Sequence, residues 1–483
     1  MRSRRTAPLL TLSLALLLPL ATACGGSADA DGPSGGEGRT VTVTVGYQSK
    51  TINTVTAGTL LRSLGYFEEE LAARGRKDGV TYKVVWQDYA TGAPITAQMT
   101  AGKIDIGSMG DFPLLLNAAR GKQLGQPTRL VSVTGYNLRG GLNTIVTAPG
   151  SSVRSLADLR GRKVSTSVGS AADGTLVRAL QRAGLDPEKD IRKLNQQPSV
   201  GASALGAGSA DALSQFVAWP GLLAYQGRAT AVYDGAELNL PTFHGVTVRK
   251  KFADQRPGVL DAFLAAQKRA TDYLRGRPVD AAESVAKQTG LPAEVVYLYN
   301  GAHGIATFDP ALRPELIAAL KEDVPVLKAA RLVGDVDVDA FVDPAPLARA
   351  AETGTGGGAG TGGGGAGAAG AGAYPKASAG VPELWTKGSR TIRSFASPEE
   401  LLKAVKSARA TGVRAAYVPD AVTGTPWFAD KAVWVADGSA LRAFVTPAGA
   451  AAYVAAHAGA RVVDYATAQD LASRAPASRV PAS

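Results

Sequence analysis

Three short stretches each combine glycine, a small polar residue and the start of a helical pattern. They are Gly46-Tyr47-Gln48, Gly107-Ser108-Met109-Gly110-Asp111 and Gly169-Ser170-Ala171-Ala172-Asp173-Gly174. Glycine lets a backbone approach a ligand closely. The first turn of a helix carries unpaired N–H groups and about half a positive charge. Several such ends brought together bind an anion without lysine or arginine. Each dipole contributes ~0.3–1 kcal/mol and each hydrogen bond to a charged group about 1.5–3 kcal/mol. Three or four together reach the ~8 kcal/mol of a micromolar complex. Taken singly, each stretch is also what an ordinary capped turn looks like. Their recurrence is what points to a site.

The elements that must position these stretches alternate. Strand patterns cover residues 41–46, 82–87, 104–106, 142–148, 163–167, 190–194 and 210–217. Helical patterns cover 54–73, 94–101, a segment opening at Phe112-Pro113, then 156–159, 174–183 and 199–206. Such alternation predicts an α/β sheet, largely parallel. Beyond Pro257 the pattern turns mainly helical, over 259–275, 279–288, 293–300 and 314–327.

The ends read differently. Arg2, Arg4 and Arg5 precede an apolar run over 8–20, then Leu20-Ala21-Thr22-Ala23-Cys24. This is an export signal, too short to span a membrane comfortably. The last residues resemble the lipobox of bacterial lipoproteins. Cys24 is the only cysteine in the chain, so no internal disulfide forms, and lipidation would consume a lone thiol. The expected order is a signal over 1–23, lipidation at Cys24, and a tether over 24–40. The mature protein would then be exported and held on the outer face of the membrane. The net charge of +11 is spread thinly, without dense basic runs interleaved with aromatics. This argues against nucleic-acid binding and suits steering of small anions.

Residues 351–374 are mostly Gly, Ala and Thr, a linker composition that buries no core. It separates a body over 41–350 from a C-terminal domain over 375–475. That domain holds an echo: Ser397-Pro398 and Thr446-Pro447 each follow a strand end and open a helix. Glu400 makes the first a capping box. The repetition points to duplicated β-α-β units.

"VGYQSKTINTV", "AGKIDIGSMGDFPLLLNAARG", "SLADLRGRKVSTSVGSAADGTLVRALQRAGL" and "GSADALSQFVAWPGLLAYQG" resemble the solute-binding proteins of ABC importers for aliphatic sulfonates, nitrate and taurine. The resemblance covers about residues 41–345. It implies a type II periplasmic-binding-protein fold, two α/β lobes joined by a hinge, with lobe 1 over 41–135 and 245–350 and lobe 2 over 140–240. It implies a small anion seated on helix N-termini and passed to a permease with its ATPase, by a monomer. The positions it assigns to the ligand are Gln48, Ser108, Gly110, Asp111, Gly169 and Ser170. Asp111→Ala and Ser170→Ala are expected to weaken binding with the fold retained. One departure stands out. Where many relatives carry a tryptophan followed by a carboxylate and proline, this chain has Phe216-Val217-Ala218-Trp219. The missing carboxylate disfavours a ligand with an amine. Phe216 and Trp219 become candidates for an apolar wall.

The C-terminal stretch Tyr417-Val418-Pro419-Asp420, with Trp427, Phe444, His457 and Gly459, resembles the NosL family, lipoproteins that assist copper delivery. This implies a small α+β domain. The domain has no Cys or Met, the soft ligands copper(I) needs. Copper trafficking is therefore the alternative function, not the first. An enzyme of the thiamine-pyrimidine-synthase type is the other. Only His244 and His303 lie in the body, with no cysteine beside them, and both read as surface or supporting residues. No catalytic set, metal-ligand spacing or phosphate loop is present, so no enzyme, metal or cofactor is expected.

Overall fold

The computed structural model describes residues 39–353, 380–408 and 412–474. The signal, Cys24, nearly all of the tether and most of the linker lie outside the described residues. The described residues form one compact unit.

The body holds two sheets. The first contains β1 (Thr40–Tyr47), β2 (Thr81–Asp88), β3 (Ile106–Gly110) and β4 (Thr128–Asn137). The chain then crosses to the second, built of β5 (Asn143–Thr147), β6 (Lys163–Thr166), β7 (Arg192–Asn195), β8 (Ala212–Phe216) and β9 (Thr230–Asp234). It returns to the first sheet as β10 (Thr242–Arg249) and β11 (Thr307–Phe308). The orders are β11-β4-β10-β3-β1-β2 and β7-β6-β8-β5-β9. Each sheet is the core of one lobe.

The sheets are mixed rather than largely parallel. β1 pairs in parallel with β2 and β3, and β6 with β7 and β8. β10 runs antiparallel between β3 and β4, and β5 runs antiparallel between β8 and β9. The antiparallel strands are those that carry the chain from one lobe to the other, and no alternating helix announces them. The helical pattern over 54–73 is also cut. It forms a 3-10 turn, Ile52–Ala57, and two helices, Thr59–Leu64 and Tyr66–Asp78. Gly65, at φ +69°, makes the second break, a conformation that costs glycine least.

The two lobes meet at a close approach. Gly174, in the first turns of the helix Ala171–Arg182, faces Phe112 of the other lobe, and a Cβ on it would overlap the Phe112 ring.

The C-terminal domain has a sheet of β12 (Glu383–Thr386), β13 (Arg393–Ser394), β14 (Val413–Pro419) and β15 (Pro426–Phe428), and a second of β16 (Val433–Asp437), β17 (Ala440–Phe444) and β18 (Arg461–Val463). Its two halves share one plan. β13, the helix Pro398–Ser407 and β14 form a split β-α-β unit with β12 antiparallel between the strands. β17, the helix Pro447–Ala456 and β18 do the same around β16. Ser397 caps the first helix by accepting from Glu400 N at 3.2 Å, and Thr446 caps the second by accepting from Gly449 N at 3.1 Å. The capping-box carboxylate of Glu400 takes the N–H of Ala396 rather than that of the cap residue.

This domain packs on the helices Pro278–Thr289 and Ala293–Asn300 of the body. Tyr297 lies between Trp385 and Tyr417, with ring centroids 5.6 and 5.4 Å away. Arg414 stacks on Trp385 and forks to Glu283 and Glu294. A fork of this kind fixes orientation as well as adding energy.

Candidate functional site

A cleft of about 170 Å³ lies between the lobes. Four helices start at its wall. Their cap residues, Thr91, Gly110, Ser170 and Gln197, all line it. They open the helices Gly92–Thr100, Asp111–Gln123, Ala171–Arg182 and Pro198–Gly206. Ser170 accepts from Asp173 N; the other three caps make no side-chain bond to their helices. Phe112 N is held by Asp111 Oδ1, and Pro94, Pro113 and Pro198 carry no N–H, so the other first-turn N–H groups, those of Ala93 and Ala171 on the wall among them, remain for a ligand.

No Lys, Arg, Asp or Glu side chain lines the cleft. What the described lining offers an anion is helix ends and polar hydrogens. Among the described residues, several buried polar atoms at or behind this wall have no protein partner: Thr91 Oγ1 on the wall, Ser108 Oγ behind it, Asn53 Oδ1 beside His244 and Gln215 Oε1 behind Ser167. Buried hydroxyls are almost always paired, so an unpaired one at a cleft wall marks a place for a ligand atom.

The structure brings together Gln48, Gly110, Gly169, Ser170 and Phe216. Gln48 is fixed by donating its amide to Ser108 O at 3.1 Å. Ser108 and Asp111 sit behind the wall, each 1% exposed. Asp111 is the first residue of its helix, not the cap. Its Oδ1 accepts from Phe112 N at 2.8 Å and its Oδ2 from Phe243 N at 3.2 Å, so it ties the helix to β10. Asp111→Ala would leave two buried N–H groups unpaired, which is a cost to the fold rather than to the ligand. Trp219 lies outside the cleft lining, half-buried, with Lys50 Nζ 6.0 Å from its ring centroid.

His244 was not expected here. It sits on β10, buried, and lines the cleft. Asn53 Nδ2 is 2.6 Å from His244 Nδ1 and 3.4 Å from Gly135 O. An amide donating to both leaves Nδ1 unprotonated and puts the hydrogen on Nε2. Burial pushes the imidazole pKa down to about 3, so it is a neutral donor at physiological pH. A Cβ on Gly110 would come 3.2 Å from this Nε2, and glycine keeps the approach open. The remaining unanticipated polar wall residues are Thr91, Ser167, Asn195 and Gln197. Thr91, Asn195 and Gln197 follow strands or cap helices, the rule that found Ser170.

Between the lobes, Arg178 of one pairs with Asp323 of the other and donates Nη2 to Glu322 O at 2.7 Å. Burial raises the Asp323 carboxyl, Asp111 nearby adds to it, and Arg178 pulls it back. Burial raises Asp111 to about 6.

These shifts set an acid response. Unfolded chain protonates histidine below about 6.5, whereas folded His244 stays neutral to about 3. Its contribution to stability is therefore present above pH 6.5 and lost as pH falls, by about 1.4 kcal/mol per unit. Asp111 works the other way between its raised pKa of about 6 and the unfolded carboxylate value. His244→Gln is expected to flatten the loss of stability between pH 6.5 and 4.5. Urea denaturation of both proteins at several pH values checks this; parallel curves would refute it.

The NMT1/THI5 like family matches residues 77–281. The body is NMT1/THI5-like over that segment. Its likenesses extend beyond the matched segment. The "Putative aliphatic sulfonates-binding protein" of Escherichia coli (strain K12) is 27% identical over 251 residues, which is 52% of this chain and 76% of that protein. The alkanesulfonate-binding protein SsuA from Xanthomonas axonopodis pv. citri, solved bound to MOPS, superposes with a TM-score of 0.53 at 23% identity, over 63% of this chain and 98% of that one. The periplasmic aliphatic sulphonate binding protein SsuA from Escherichia coli gives 0.50 at 24%, over 62% and 96%. The body thus has the two-lobed α/β fold of these solved binding-protein structures, as the sequence motifs implied.

Proposed function

We propose that this chain is the extracytoplasmic solute-binding lipoprotein of an ABC importer, and that the cleft takes a small anion of the sulfonate class. One observation carries this: four helix N-termini converge on a cleft without charged side chains, beside the unpaired hydroxyl of Thr91. The ligand-contacting groups would be first-turn N–H groups of the helices that Gly110 and Ser170 cap, the amide of Gln48 and the Nε2–H of His244, with Gly169, whose own N–H is held by Asp173 Oδ2 at 3.1 Å, giving the ligand room. Phe216 would face the apolar part of the ligand. Binding draws the lobes together, and the closed form delivers the anion to a permease. The likeness to sulfonate-binding relatives supports the ligand class. Cys24 would anchor the chain, as a monomer, to the membrane.

The cleft wall offers no carboxylate to pair an ammonium group. Calorimetric titration with ethanesulfonate, taurine, nitrate and choline tests the reading. Ethanesulfonate is expected to bind at micromolar concentration and more tightly than taurine, and choline not at all. Tighter binding of choline or of a neutral solute would overturn it.

A further inference from the structure

The two crossovers between the lobes touch. Leu240 N donates to Arg139 O at 3.2 Å. Gly140, at φ +100°, has carbonyl oxygens of Gly235 and Leu240 where a Cβ would go. A turn of the C-terminal domain rests on this hinge. Asp420 Oδ1 holds the turn by accepting from Val422 N and Thr423 N, both at 2.8 Å. Thr423 Oγ1 then donates at 2.8 Å to Asp234, the residue whose other oxygen caps the return crossover. Thr425 Oγ1 lies 3.4 Å from where a Cβ on Gly141 would sit, in the outgoing crossover.

The same domain is also fixed to each lobe. Tyr417 donates to Glu294 O at 2.9 Å, and Arg390 pairs with Asp280 at 2.6 Å, both on helices of the returning segment. Phe428 packs on Tyr225 of the second lobe, with centroids 5.4 Å apart. A rotation of one lobe against the other cannot keep both sets of contacts. The docked arrangement is also the one in which Arg178 of one lobe reaches Asp323 of the other.

We infer that the C-terminal domain is a brace across the hinge, whose docking and the closure of the lobes on a ligand favour each other. A partner that favours one of two arrangements must shift the equilibrium toward it, and the coupling is reciprocal. The ligand arm of the test rests on the proposed anion site; the distance arm does not.

The test uses the full chain with Arg390→Glu and Arg414→Glu together, which sets two carboxylates against Asp280, Glu283 and Glu294. Hydrogen exchange in the helix Ala293–Asn300 reports undocking. Spin labels at positions 77 and 189, on exposed faces of the two lobes, with Cys24→Ser, report their separation. The expected result is undocking, a broader separation without ligand, and at least about five-fold weaker ethanesulfonate binding. Undocking with an unchanged separation overturns the brace. So does undocking with unchanged affinity beside measurable wild-type binding. If the wild-type chain binds no ethanesulfonate, the anion site fails and the separation alone decides.

Discussion

Ser170→Asp is expected to abolish anion binding while leaving the fold as stable as before, or more so. Ser170 caps the helix Ala171–Arg182, and its hydroxyl accepts from Asp173 N. Aspartate caps as well as serine, and its charge suits a helix N-terminus. The helix therefore loses nothing. The cleft loses its task, because a fixed carboxylate now occupies the field of the converging helix ends. Two like charges about 4 Å apart, at an effective dielectric near 20, repel by about 4 kcal/mol. Affinity for ethanesulfonate should fall by two to three decades, with the midpoint of thermal unfolding unchanged or raised. Calorimetry and thermal denaturation on one preparation check both halves. Retained affinity would place the ligand elsewhere.

Arg178→Met is expected to be the most damaging single change outside the cleft. Asp323 is 3% exposed at its side chain and faces Arg178, which also pulls the raised Asp111 carboxyl back down. Removing one partner of a buried pair costs about 3–5 kcal/mol, because the other charge stays buried. The sign of its pH dependence follows. Without the cation, both carboxyl pKa values rise further above their unfolded value. The folded chain then holds protons that the unfolded chain releases, so stability returns as pH falls through the folded pKa. The deficit measured by urea denaturation should be clearly smaller at pH 5 than at pH 8. Equal deficits at the two values, or a loss below about 1 kcal/mol, would show that the pair is not held in this way. Ligand affinity should fall as well, since the pair joins one lobe to the other.

Much of the site could be read from residue order alone. Strand, glycine, small polar residue and helix follow one another at Gly107–Asp111 and Gly169–Gly174, and local chemistry fixes such a turn wherever it occurs. Gly110, Gly169 and Ser170 were found this way. Asp111 was misplaced by one position: Gly110 is the cap, so the carboxylate falls on the first helical residue and reaches β10 instead of the cleft. His244 escaped notice because its strand reads Thr-Phe-His-Gly-Val-Thr-Val-Arg, polar where a buried strand is usually apolar. His244 and Thr247 find partners far along the chain, Asn53 at 191 residues and Asn117 at 130. Pairings at that separation leave no periodic trace. The seat of the C-terminal domain on the hinge is equally silent, since Thr423 and Asp234 each look like a routine turn residue.

At position 174 a hydrogen atom is the largest substituent that lets Phe112 and the helix Ala171–Arg182 lie flush. A single methyl there is a doorstop. Alanine, valine and leucine in turn would hold the jaws ajar by graded amounts, giving a set of jammed receptors with every anion-contacting group intact. Such a series separates capture from shutting, and supplies the inert twin that any optical nutrient sensor built on this scaffold would need.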